Sequence, residues 1–199
     1  MRGVLKVNIL QQRIIDDGEV FPNNVLKVDS FLNHQIDPHI MYSIANDFYQ
    51  HFKSAGITKI LTIEASGIAP AIFVAQKFDV PMLFAKKKEP STLQNQEVYT
   101  ELVHSYTKNT DSNIIVSKQF LNADDKVLVV DDFLANGEAA MGLISIAEQA
   151  GADVAGVAIC IEKSFQNGRQ RILDHGYEVY SAARIASLEN NQVRFNDGH

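Results

Sequence analysis

The stretch Val127–Ala140, VLVVDDFLANGEAA, constrains this chain more than any other. Four consecutive apolar β-formers, Val127, Leu128, Val129 and Val130, lack the alternation of a strand with one wet face. They predict a parallel strand covered on both sides. Two carboxylates, Asp131 and Asp132, follow at once, where the strand is expected to stop, and a short stretch with Asn136, Gly137 and two small residues then leads into a helix over Ala139–Gln149. Open α/β sheets bind ligands at the carboxyl ends of their strands. A loop without bulk that opens a helix also leaves backbone N–H groups free for an anion. Acids beside such a nest suit a ligand with hydroxyls and phosphate, of which a sugar phosphate is the simplest. The acids read equally well as a surface pair at a strand end, so the rest of the chain must decide.

The remaining pattern supports an α/β fold. Apolar spacing predicts an entry helix over residues 9–20, closed by Gly18, and a brief strand around Val25, Leu26 and Val28. Asp37-Pro38 caps a helix over Pro38–Ala55, ended by Gly56. Strand Lys59–Ile63, the turn Glu64-Ala65-Ser66-Gly67, helix Ile68–Phe78 and strand Val80–Phe84 then form a β–turn–α–β unit with a right-handed crossover. Residues 86–112 are polar and predict an inserted lid, with a hairpin pairing Glu101–Thr107 and Asn113–Lys118. Further strands are expected at Val154–Ile161, at Tyr177–Ala186 on the sheet edge and at Val193–Phe195, with a short helix over Asn167–His175. Residues 1–199 therefore form one domain, a central parallel sheet flanked by helices, with a flexible hood at 86–112 and an N-terminal segment.

Composition narrows the partners. A net charge of −6 disfavours a general nucleic-acid surface. No apolar run approaches the ~20 residues that span a bilayer, and MRGVLKVNIL passes into polar sequence without a cleavage-type segment, so a cytoplasmic protein is expected. The single cysteine, Cys160, lies in the apolar run Val157–Ile161 and reads as packing rather than as a nucleophile. There is no G-x-G-x-x-G or G-x-x-x-x-G-K-[ST], which removes dinucleotide-dehydrogenase and P-loop kinase readings. Lys86, Lys87 and Lys88 follow the Val80–Phe84 strand and suit either a solvated face or pyrophosphate charge. Lys163 and Phe165, in IEKSF, suit either packing or ligand contact.

The run of four apolar residues, two acids, three residues and Asn-Gly resembles the 5-phosphoribosyl 1-pyrophosphate (PRPP) motif of type I phosphoribosyltransferases. The resemblance implies that Asp131 and Asp132 hold the ribose hydroxyls and that Ala135, Asn136, Gly137, Glu138 and Ala139 hold the 5′-phosphate. It implies that Glu64, Ala65, Ser66 and Gly67 receive the pyrophosphate, with Lys86 and Lys88 at its mouth and Ser105-Tyr106-Thr107-Lys108 on one side of the hood. The segment from Val25 to Gln35, together with IEKSF, resembles the bacterial xanthine phosphoribosyltransferase family over about residues 9–195, which implies purine contacts at Leu26, Asn33, Lys163 and Phe165. Its loop has Ala135 where hypoxanthine-guanine members carry an aspartate, so base deprotonation is not assigned to a loop acid.

The function so implied is purine salvage: xanthine and PRPP give xanthosine 5′-monophosphate and pyrophosphate. Mg²⁺ is expected to be held through PRPP rather than by a dedicated protein site, the partners are those two small molecules, and a homodimer is implied. A hypoxanthine/guanine or adenine enzyme remains an alternative. So does a PRPP-sensing regulator without catalysis, although fewer than forty residues precede the first long helix and none reads as a basic recognition helix.

Overall fold

The computed structural model describes residues 8–87, 97–105 and 110–196. Six strands form the central sheet: β3 (Lys59–Ile63), β4 (Met82–Ala85), β7 (Lys126–Leu134), β8 (Asp153–Lys163), β9 (Val179–Ser187) and β10 (Arg194–Phe195). Their order is β10-β9-β8-β7-β3-β4, parallel except for β10, which pairs antiparallel to β9. Two antiparallel hairpins stand apart from it, β1 (Glu19–Phe21) with β2 (Val25–Lys27) and β5 (Val98–Ser105) with β6 (Thr110–Ser117). Five helices cover the sheet: α1 (Ile9–Asp17), α2 (Pro38–Phe52), α3 (Ile68–Phe78), α4 (Glu138–Gln149) and α5 (Gly168–Asp174). None of the described helices is long and apolar enough to cross a membrane.

The apolar run is buried on both faces, as its composition requires. Leu128 and Val130 join a core with Ile44, Phe48, Phe31 and Val74. Val127 and Val129, pointing the other way, join one with Leu143, Ile146 and Ile114. Local signals set the helix starts: Asn8 and Gln11 form a reciprocal capping box on α1, and the Asp37 carboxylate accepts from His39 and Ile40 N–H at the start of α2.

Several elements differ from the pattern. β7 does not stop at the acids but runs through them to Leu134, because β8 continues beside it to the pair Leu134–Glu162. The strand at 179–187 is not the edge, since β10 lies outside it. β1 was not visible in the apolar spacing. The entry helix ends at Asp17, and Glu19–Phe21 turns back to pair with Val25–Lys27. The hairpin β5–β6, which begins within the polar insertion and runs beyond it, packs on the body: Lys86 bridges Ile115, and Val103, Ile114 and Val116 are buried on the α4 face. Gly142 permits that approach, since a Cβ there would lie 3.2 Å from Ile114 Cδ1. Lys88 and residues 106–108 of the expected hood lie outside the described residues.

Candidate active site

The chain reverses direction across the sheet between β3 and β7: after β3 it adds β4 on one side, and later β7, β8 and β9 on the other. Pairing of β3 with β7 ends at Leu61–Val129, while β7 stays paired to β8 for five more residues of its length, to Leu134. A crevice therefore opens above Val129 at the topological switch point, where α/β sheets bind ligands. Asp131 and Asp132 stand in it, each only 6 % exposed.

The two acids are held differently. Asp131 Oδ1 accepts from the Asp132 backbone N–H at 2.9 Å, and Asp132 Oδ2 accepts from Asn33 Nδ2 at 3.2 Å. Burial, and then the neighbouring Asp132 charge, push the Asp131 carboxyl well above the usual carboxylate range. A buried pair of acids in which one carboxyl has raised proton affinity is costly to the fold and is the kind of arrangement found where a ligand or cation completes the site. The Glu64–Gly67 turn closes against it. A Cβ on Gly67 would lie 2.8 Å from Asp131 Oδ1, so only glycine lets this turn and the start of α3 sit on the acid. The Glu64–Ala65 peptide is cis, and Glu64 Oε1 accepts from Lys87 N–H at 2.7 Å, tying the turn to the chain after β4. Lys86 places its Nζ over the Phe84 ring, 5.6 Å from the centroid.

The loop Ala135–Ala139 follows β7 directly. Gly137 has φ +86°, a left-handed conformation that glycine adopts without penalty, and α4 begins from it without a side-chain cap. The twelve residues of α4 thus start with their first N–H groups at the crevice mouth. α5 lies underneath: Gly168 N–H donates to the Ala135 carbonyl at 3.0 Å, and Arg171 Nη1 donates to the Asn136 carbonyl at 2.7 Å and to Glu138.

Of the expected base contacts, Asn33 reaches the acids, through its bond to Asp132. Asn33 ends a single π-helical turn, Asp29–Asn33, whose Phe31 and Leu32 are buried. Leu26 of β2 is buried, and Phe165 is 38 % exposed. Lys163, at the end of β8, donates to the Asn24 carbonyl in the β1–β2 turn at 2.8 Å and lies 5.7 Å from the Phe133 ring centroid. Burial pulls its ammonium down from the ordinary lysine value.

Sequence reasoning missed the residues that hold these parts in place. Glu162, 1 % exposed, accepts from Ser164 Oγ and Ser181 Oγ at 2.6 Å each, from Arg169 Nη1 at 2.8 Å and from Arg184 Nε at 3.2 Å. Burial alone would raise its carboxyl, but the two hydroxyls and the two guanidinium groups outweigh that and lower it. The network fastens α5 and β9 to the segment carrying Lys163. A glutamate closing the apolar run 157–161 was the available signal; its four partners come from elements that no local pattern connects.

An acid pair at the switch point, between the Glu64–Gly67 turn and the Gly137 turn that opens α4, has the make-up of a small-molecule site. The family model for the phosphoribosyl transferase domain matches residues 28–189, and the chain belongs to that family. It is 59 % identical to a xanthine phosphoribosyltransferase of Macrococcus caseolyticus over 92 % of this chain and 94 % of that one. It is 56 % identical to a xanthine phosphoribosyltransferase of Listeria monocytogenes over 95 % and 98 %. The fold is similar to adenine phosphoribosyltransferase structures. That from Trypanosoma brucei, in complex with AMP, pyrophosphate and ribose-5-phosphate, gives a TM-score of 0.72 at 16 % identity over 88 % of this chain and 79 % of that one. That from Giardia lamblia, complexed with 9-deazaadenine, gives 0.70 at 23 % over 82 % and 87 %.

Proposed function

We propose that this protein is a xanthine phosphoribosyltransferase, transferring the phosphoribosyl group of PRPP to xanthine to give xanthosine 5′-monophosphate and pyrophosphate. The observation that carries the base assignment is the pair Lys163 and Asn33: Lys163, at the end of β8, donates to the Asn24 carbonyl of the β1–β2 turn, and Asn33, from the N-terminal segment, donates to Asp132. An ammonium offers three N–H donors, so Lys163 can keep the Asn24 carbonyl and still donate to a purine oxygen. Adenine would present it with an amine instead. The adenine enzymes noted above share the fold at 16–23 % identity, whereas the relatives at 56–59 % bear the xanthine name. The matched family region begins at residue 28, so the β1–β2 turn that meets Lys163 lies outside it and is free to serve the particular base.

In this reading the C1–O bond to pyrophosphate breaks as a purine nitrogen bonds to C1, through a ribosyl group with oxocarbenium character, and the purine gives up a ring proton. Asp131 and Asp132 fix the ribose hydroxyls and place negative charge beside the developing cation, while the 135–139 amides anchor the 5′-phosphate. The 64–67 turn receives the departing pyrophosphate. Two buried carboxylates fit Mg²⁺, which commonly takes one or two carboxylates and completes its shell with substrate phosphates and water. Bound there with PRPP, it would supply Lewis-acid charge to the leaving group. A cytoplasmic homodimer belongs to the same proposal and is supported by the family resemblance. Product analysis with PRPP, Mg²⁺ and xanthine, guanine, hypoxanthine or adenine in turn tests the reading. Xanthosine 5′-monophosphate as the fastest-formed product is expected, and preferential formation of AMP would overturn it.

A further inference from the structure

Glu138 stands in an unfavourable place for a phosphate-binding loop. It is the first residue of α4, where the free N–H groups and the helix dipole attract negative charge. Its carboxylate therefore competes with an incoming phosphate for the same positive end, and left alone it would repel that phosphate. The structure turns it aside: Arg171 of α5 takes the Glu138 carboxylate with the same Nη1 that donates to the Asn136 carbonyl. One residue earlier, the Ala135 carbonyl is held by Gly168 N–H, and a Cβ on Gly168 would come within 2.9 Å of Gly137 N. Two successive carbonyls of the loop are thus fixed from below by α5, and the one acidic side chain of the loop is paired by it.

We propose that Arg171 is a positioning residue for the 5′-phosphate: it sets the Asn136–Gly137 peptide and cancels the Glu138 charge, so that the loop meets phosphate already shaped and free of a like charge. The inference rests on the reading of 135–139 as the phosphate loop. Arginine suits the task because its guanidinium is always charged and reaches two acceptors from one rigid plane, which a lysine ammonium does less well.

Titration with ribose 5-phosphate tests it on the full chain. Arg171→Ala is expected to weaken ribose 5-phosphate about 5- to 20-fold, the range for a charge-assisted contact discounted for partial solvent exposure. In turnover the loss should fall on the KM for PRPP, with kcat and the KM for xanthine little moved. Adding Glu138→Gln to Arg171→Ala should recover most of the affinity, because the unpaired charge is then gone. A merely structural role would give no such recovery. Arg171→Lys, which keeps the charge and is the safer variant for folding, should lie between wild type and Arg171→Ala. Wild-type affinity in Arg171→Ala, or a double variant as weak as the single one, overturns the proposal. Failure of the unaltered protein to bind ribose 5-phosphate would instead overturn the phosphate-loop reading, and this inference with it.

Discussion

At the scale of single residues, the site trades stability for chemistry. Asp131 is buried beside a second carboxylate and its proton affinity is raised, so its ionised form costs the fold free energy at neutral pH. That cost is absent below the ordinary carboxylate value of 3.8 and grows as pH rises through the raised folded value. Asp131→Asn keeps an oxygen for the Asp132 N–H and removes the repulsion. It is expected to raise thermal stability by about 0.5–2 kcal/mol while lowering kcat/KM for PRPP by about 10²-fold or more. Calorimetry and initial rates on the same preparation check both halves, and a destabilised variant would contradict the assignment of strain to this pair. Lys163→Ala should cut kcat/KM for xanthine about 10²–10³-fold, and leave ribose 5-phosphate affinity nearly unchanged, since the phosphate contacts come from another loop. An equal loss in both would make Lys163 structural. The acids and Lys163 stand out in the sequence because each closely follows an apolar run. Arg171 was not, because nothing in the polar run GRQRILD distinguishes it from a surface arginine.

At the scale of elements, local rules carried far where elements are set by local rules. β3 and α3 occupy the residues that apolar spacing and the small-residue turn assign to them. They carried less far where pairing partners decide. β7 extends past two acids because β8 offers it hydrogen bonds, and β1 exists only through its register with β2. The insertion reads as polar because, of the buried hydrophobic residues of the β5–β6 ribbon, only Val103 falls within 86–112, while Ile114, Ile115 and Val116 lie in the arm beyond it. That ribbon leans on α4 across Gly142, whose missing side chain is filled by Val103 and Ile114. Gly142→Val should therefore overpack the contact and destabilise the protein by about 1–3 kcal/mol, despite leaving every catalytic group untouched. Amide exchange should accelerate in residues 98–105 and 110–117 ahead of the central sheet; uniform acceleration throughout would show that the ribbon is not a separable unit.

At the scale of the whole molecule, Glu162 joins β8, β9 and α5 through four donors, and its lowered carboxyl makes it an acid-sensitive fastening. Its contribution is present above the ordinary value of 4.5 and is lost as pH falls through the lower folded value, the opposite sense to Asp131. Glu162→Gln should cost about 2–3 kcal/mol at neutral pH, below the full figure for a buried pair because both arginines are partly exposed. Its stability should also fall less steeply than that of the wild type as pH is lowered below about 4.5. Denaturant titrations at a series of pH values check the slope, and parallel curves would exclude Glu162 as the acid-sensitive group. Beneath the acids, on β8, lies Cys160, the chain's single thiol, with no solvent exposure. Burial, and then the charges of Asp132 and Asp131, push it well above the ordinary thiol value, so a thiolate does not form there in the folded state. An alkylating reagent can reach that sulfur only when the middle of the sheet comes apart. The rate of its modification is therefore a clock for opening of β8, readable without a label, and its slowing by PRPP would time how firmly the ligand closes the molecule from within.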